Sequence, residues 1–194
     1  MQQRSIETRQ KIISASLTLF SKQGFDATGV AEICELAHVS KGAFYYHFPS
    51  KRTVFLALFQ DWLSSLDQQM DAVQHSDFTV PETLRLMTGL IPQIITTAGD
   101  HLQIFLEFWT QASRDPTMWQ ATIEPYHHYQ VFFAELIAQG IREGSLENVD
   151  QQIAARIIVA LALGLLLQGM FDPVGANWEE VSQQGIDLLL DGIT

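Results

Sequence analysis

"VSKGAFYYHFPSKR", residues 39–52, sets four aromatic rings, one imidazole and three cations within fourteen positions. Ser40 is placed to cap a short helix, and Pro49 cannot continue it, because proline lacks an N–H and its ring clashes with the preceding turn. On that helix Val39, Phe44 and Phe48 have the spacing to point inward. Lys41, Gly42, Ala43, Tyr45 and His47 are left outside.

The flanking sequence is helical on both sides. From Ile6 to about Gln23, apolar residues at Ile12, Ile13, Leu17 and Phe20 follow helical spacing, and Gly24 supplies the stop. Thr28 is expected to cap a second helix, in which Val30, Ile33, Cys34 and Ala37 fall on one face. His38-Val39 makes the turn into the short third helix. Ser50 then caps a longer fourth, carrying Val54, Phe55, Leu58, Phe59 and Trp62. Further helices are expected near 81–97, 101–114, 117–142, 150–170 and 178–191, with Pro92 and Pro125 bending or breaking two of them. No strand-like alternation of convincing length appears, so the predicted fold is all-α.

A helix of about eight residues, a tight turn and a second short helix form the skeleton of a helix-turn-helix. Small side chains at Gly42 and Ala43 would let the backbone approach base edges, and an alanine methyl suits a thymine methyl. Tyr45, His47, Lys51 and the Ser50 cap are placed to reach phosphate oxygens. The expected DNA-contacting set is Thr28, Ser40, Lys41, Gly42, Ala43, Tyr45, His47 and Lys51. The same pattern also suits an amphipathic helix pair with a solvated charged rim.

Charge supports the first reading. The 194 residues carry a net charge of −11, yet residues 1–52 hold seven Lys/Arg against four acids, a balance of +3. The remainder sums to −14, so a basic head sits on an acidic body. A 47% hydrophobic and 17% charged composition describes a folded chain. The single cysteine, Cys34, excludes an intrachain disulfide, and the first ten residues, MQQRSIETRQ, lack the apolar core of a secretory signal. A cytoplasmic location is expected.

Residues 8–56 resemble the DNA-binding domain of TetR/AcrR-type transcriptional regulators, through "TRQKIISASLTLFSKQGFDATGVAEI" and "AHVSKGAFYYHFPSKRTVF". The resemblance implies a three-helix DNA-binding head, residues 1–52, and an all-α ligand-binding and dimerisation body, residues 53–194. Two positions depart from the family pattern. His38 stands where the family usually has glycine in the turn, so a left-handed backbone is expected there at some cost. Cys34 replaces the usual alanine and reads as a buried thiol.

The segment "HLQIFLEFWTQASRDPTMW" (101–119) is similar to the BetI-like subgroup, which includes choline-responsive repressors. Candidate ligand-binding residues are Trp62, Phe105, Phe108, Trp109, Trp119 and Tyr126, though rings at helical spacing also serve as core. Glu107 and Glu124 lie among them, and carboxylates beside indole faces suit an organic cation. Adjacent His127 and His128 cannot both ligate one metal from a helix, so neither a metal nor another cofactor is expected.

"IAARIIVALALGLLLQGMF" (153–171) approaches a membrane span in length, but Arg156 and Gln168 interrupt it and no basic flank follows. With the last helix it is expected to form half of a dimeric four-helix bundle, through Ala160, Leu163, Gly164, Leu167, Ile186 and Leu189. No nucleophile–base pair, HExxH or paired-carboxylate motif supports catalysis. The expectation is a homodimeric repressor binding a palindromic double-stranded operator and released by a small-molecule inducer. The alternative is a DNA binder without an inducer, whose body holds a protein partner.

Overall fold

The computed structural model describes residues 2–74, 78–98 and 102–193; the side chains of residues 2, 74, 97, 98, 102–105, 108 and 122 lie outside that description. Ten helices are present among the described residues: α1 Gln2–Gln23, α2 Val30–Ala37, α3 Lys41–His47, α4 Lys51–Gln74, α5 Val80–Thr88, α6 Leu90–Ala98, α7 Leu102–Ala112, α8 Pro116–Glu143, α9 Gln151–Phe171 and α10 Trp178–Leu190. The described residues contain no strand. They group into two compact units, Met1–Ser65 with Asp100–Ala121, and Leu66–Gly99 with Thr122–Thr194. That partition differs from a division at 52/53: α7 and the start of α8 join the first unit.

In the first unit, α1 ends where Gly24 takes φ +85° and returns its N–H to the Phe20 carbonyl at 3.0 Å. The second helix begins one residue later than expected. Gly29, not Thr28, is its N-cap, and the Glu32 carboxylate accepts the Gly29 N–H at 2.7 Å. Thr28 is almost fully buried, and its hydroxyl donates to the Gly24 carbonyl at 2.7 Å. At the far end of α2, His38 is left-handed (φ 54°, ψ 45°). Its N–H donates to the Glu35 carbonyl at 3.1 Å, and the Val39 N–H donates to Cys34 at 3.0 Å. This pair of bonds is a Schellman closure with histidine in the position glycine usually fills.

Ser40 caps α3 by accepting the Ala43 N–H at 3.1 Å. Ser50 and Thr53 cap α4 reciprocally: the Thr53 N–H donates to the Ser50 hydroxyl at 3.3 Å, and the Ser50 N–H to the Thr53 hydroxyl at 3.2 Å. The core beneath joins Ile12, Phe20, Phe25, Ile33, Phe44, Phe48, Val54 and Phe55 to Ala112 and Met118. Phe20, Phe25 and Phe55 form a ring trio with centroids 4.8–5.5 Å apart.

The second unit packs α5, α6, α9 and α10 together with the later part of α8. The helix expected at 81–97 is divided at Gly89, which leaves Pro92 in the first turn of α6, where a missing N–H is tolerated. Pro125 breaks nothing: α8 runs through it for 28 residues. Its C-terminal half supplies Phe133, Leu136 and Ile137 to the core, which secures the helix despite one lost backbone bond. A second Schellman closure ends α8, with Ser145 N–H on the Gly140 carbonyl at 2.9 Å and Gly144 at φ 78°. The Tyr129 hydroxyl donates to Asp67 Oδ1 at 2.9 Å; burial first, then that carboxylate, push the phenol pKa far up.

Candidate nucleic-acid interface

Two phenylalanines orient α3. Phe44 is 0% exposed and Phe48 4%, and the Arg9 guanidinium covers the Phe48 ring at 5.4 Å. With those anchors inward, Lys41, Gly42, Tyr45 and Tyr46 are exposed, while Ala43 and His47 are half-buried. A Cβ built on Gly42 would meet only the Ser40 hydroxyl, at 3.8 Å, so this face is open to close approach. Tyr45 packs edge-on against Phe44, which limits its motion. The sequence reading passed over Tyr46. It is 79% exposed and rests edge-on against His47 at 5.0 Å. Its position midway between the two inward phenylalanines was the available signal.

Thr28 and Lys51, both in the expected DNA-contacting set, are engaged by the head's own backbone. The Thr28 hydroxyl is enclosed and already bonded, as above. The Lys51 ammonium donates to the carbonyls of Phe25 at 2.5 Å, Thr28 at 2.8 Å and Asp26 at 3.2 Å. It also sits 4.4 Å from the Phe25 ring centroid. An ammonium has three donors, and all three are spent on the α1–α2 loop. Arg52, next along α4, is paired with Asp115. The Met118 and Thr117 N–H groups and Arg52 together hold the Asp115 carboxyl below its ordinary pKa. Two of the head's seven cations are therefore committed within the protein.

Glu107 on α7 also has a defined role. Its carboxylate accepts the Phe25 N–H at 2.6 Å and the Asp26 N–H at 3.4 Å, rather than waiting among rings for a cation.

Of the expected ligand-binding residues, Phe105 and Phe108 have side chains outside the described residues. Trp62 stacks on Phe59 with ring planes 29° apart. Trp109 and Trp119 are exposed in the first unit, and Tyr126 packs against the core of the second. An open depression of about 550 Å³ at the α7–α8 turn is lined by Ala112, Ser113, Arg114, Asp115, Pro116 and Trp119. Among the described side chains, Trp119 is the expected ligand-binding residue that borders it.

The dimerisation set divides more sharply. Ile186 is 3% exposed within the second unit's own core, because α10 turns it onto its neighbours. Leu163 and Leu189 are half-buried against that core, and Leu167 is half-buried. Ala160 is exposed, and a Cβ on Gly164 would meet nothing within 4 Å. They share a face of α9 with the exposed apolar residues Ile153, Ile157 and Phe171, and α10 exposes Val181 and Leu188. Although α9 is long and apolar enough to cross a membrane, Ala154, Ala155, Ile158 and Val159 belong to the second unit's core.

Residues 12–58 match bacterial regulatory proteins of the tetR family, and residues 82–191, more than half of the chain, match the C-terminal region of BetI-type transcriptional repressors. The chain belongs to the TetR family. Members are DNA-binding transcription factors and not enzymes; they bind DNA operators and small-molecule ligands, typically as dimers. The transcriptional regulator UidR of Escherichia coli K12 is 23% identical over all of this chain and 96% of its own length. Matches to the first two curated relatives span only 24% and 56% of those proteins. Among solved structures, a transcriptional regulator from Pseudomonas aeruginosa PAO1 superposes with a TM-score of 0.84 at 19% identity, over 95% of this chain and 88% of that one. A regulator from Saccharomonospora viridis in complex with choline gives 0.79 at 21%, over 95% and 96%. At these identities the likeness shows the TetR fold.

Proposed function

We propose that this TetR-family regulator is a cytoplasmic repressor that binds a palindromic operator as a homodimer and is released by a small-molecule inducer. The observation that carries the DNA-binding part is the outward face of α3. Lys41, Gly42, Ala43, Tyr45, Tyr46 and His47 stand on a helix whose other side is pinned by Phe44 and Phe48. It offers a cation, two phenol hydroxyls, an imidazole and an open backbone, with no acid among them. Those are groups that position on phosphate and read base edges. Thr28 and Lys51 hold the loop that precedes α2.

The dimer reading rests on the exposed apolar residues of α9 and α10. Apolar helix faces left this exposed are costly in water and suit a twofold contact between like helices. Gly164 leaves room for close helix approach. A twofold dimer would present two α3 helices to successive major grooves, about one DNA turn apart. The BetI-type match and the choline complex of the S. viridis protein support an organic cation as the first inducer class to test.

Selection of bound duplexes from a random pool tests the proposal. It should return an inverted repeat whose half-sites lie about 10 bp apart, or a multiple of that. Recovery of sequences without dyad symmetry would contradict it.

A further inference from the structure

The α1–α2 loop is gripped on both polar sides of one stretch of backbone. From α7, the Glu107 carboxylate takes the Phe25 and Asp26 N–H groups; from the first turn of α4, the Lys51 ammonium takes the Phe25, Asp26 and Thr28 carbonyls. Gln111, one turn beyond Glu107, donates its side-chain amide to Asp26 Oδ1 at 3.1 Å. Gly24 lies beside this grip: a Cβ there would make an ordinary 3.4 Å contact with a Glu107 carboxylate oxygen, and its φ of +85° suits glycine. The loop continues directly into α2, whose N-cap is Gly29. Phe25 adds an apolar anchor, 5% exposed within the Phe20–Phe25–Phe55 trio.

We propose that Glu107 is a positioning residue for DNA binding, tying α7 to the α1–α2 loop so that a shift of α7 is passed to the helix-turn-helix. This rests on the proposed DNA-binding reading. The charge-assisted bond to Phe25 is short and directional, so it transmits displacement better than an apolar contact that slides. Lys51 holds the same peptides from their carbonyl side, which keeps the loop from yielding locally. Loop, α7 and the start of α4 therefore move together. A change that reaches α7 alters the placement of α2 and, through its packing on α2, of α3.

The test compares wild type, Glu107→Ala and Glu107→Gln at a temperature where circular dichroism shows all three folded. Amide hydrogen exchange and binding to a duplex recovered by selection are both measured. Glu107→Ala should speed exchange at Phe25 at least tenfold and weaken specific binding at least tenfold, with binding to scrambled DNA changed less than twofold. Glu107→Gln keeps one acceptor and should fall between the two; it carries the test if the alanine variant does not fold. A purely structural Glu107 would lower the melting temperature and leave the affinity of the folded protein unchanged, which would overturn the proposal. Unchanged Phe25 exchange would overturn it as well. Failure of wild type itself to bind any selected duplex would instead defeat the DNA-binding reading on which the proposal stands.

Discussion

The Lys51 ammonium donates to the Phe25 carbonyl at 2.5 Å while lying 4.4 Å from the centroid of that residue's ring. One cation thus fixes both the backbone and the side chain of Phe25. Replacing it with methionine keeps most of the apolar stem but leaves three carbonyls without their donor. Hydrogen bonds to a charged group contribute about 1.5–3 kcal/mol net, so Lys51→Met should destabilise the protein by about 2 kcal/mol. Chemical denaturation should show this as a lower midpoint with an unchanged slope. A loss under about 0.5 kcal/mol, the range of ordinary surface substitutions, would show that the bonds contribute little.

His38 and Gly144 close their helices in the same way, at φ 54° and 78°. A side chain in the left-handed region costs about 1–2 kcal/mol, and glycine's extra freedom when unfolded returns part of that gain. His38→Gly should therefore stabilise by about 0.5–1 kcal/mol, and Gly144→Ala should destabilise by about 1 kcal/mol. Thermal melts of both variants check the pair, and shifts of the same sign would contradict the argument.

The helices and the inward pair Phe44 and Phe48 were legible because they rest on local spacing, and the left-handed turn at His38 because the resemblance to the TetR/AcrR-type head puts glycine there. The task of Lys51 was not legible. Its partners are carbonyls more than twenty positions away, and nothing in a lysine's identity distinguishes a phosphate from a loop backbone. Glu107 failed to show for the same reason, its acceptors being filled by N–H groups 81 and 82 positions earlier. Ile186 illustrates a different gap. Helical periodicity finds an apolar face, but whether that face meets its own core or a partner depends on how α10 is rotated. Pro125 was expected to bend or break its helix and does not break it, because the packing of α8 offsets one lost backbone bond, while the break near Pro92 falls at Gly89 and leaves that proline in a new first turn.

Cys34 is buried, and burial pushes its thiol pKa up, with the Lys41 charge offsetting only part of that rise. The thiolate is the reactive form, so alkylation at pH 8 should be far slower in the folded protein than in denaturant. Raising the pH should keep speeding it, about tenfold per unit, until the solution passes the elevated pKa. Labelling followed by mass spectrometry checks this, and equal rates folded and unfolded would contradict it. On folding thermodynamics the sign is clear: a raised thiol pKa favours the folded state at neutral pH and loses that support as pH rises.

Exposed residues on α9 and α10 give a cleaner test of assembly than half-buried ones. Ile157→Glu with Leu188→Glu should yield folded monomers, because both side chains are more than half exposed and leave the core intact. Light scattering should halve the mass while circular dichroism is retained, and operator affinity should fall at least a hundredfold as the two α3 helices are uncoupled. An unchanged dimer would place the contact elsewhere.

The central claim is that the outward face of α3 meets DNA while Lys51 holds the α1–α2 loop, and a salt series of fluorescence anisotropy on the selected duplex tests it most directly. Each phosphate contact adds about 0.9 to the slope of log affinity against log salt. Lys41→Ala should reduce that slope by about one, and Tyr46→Ala should weaken binding about tenfold with little change in stability. Lys51→Met, measured where it is folded, should leave the slope as in wild type. Unchanged affinity and slope in both Lys41→Ala and Tyr46→Ala, together with a slope lowered by about one in Lys51→Met, would contradict the account.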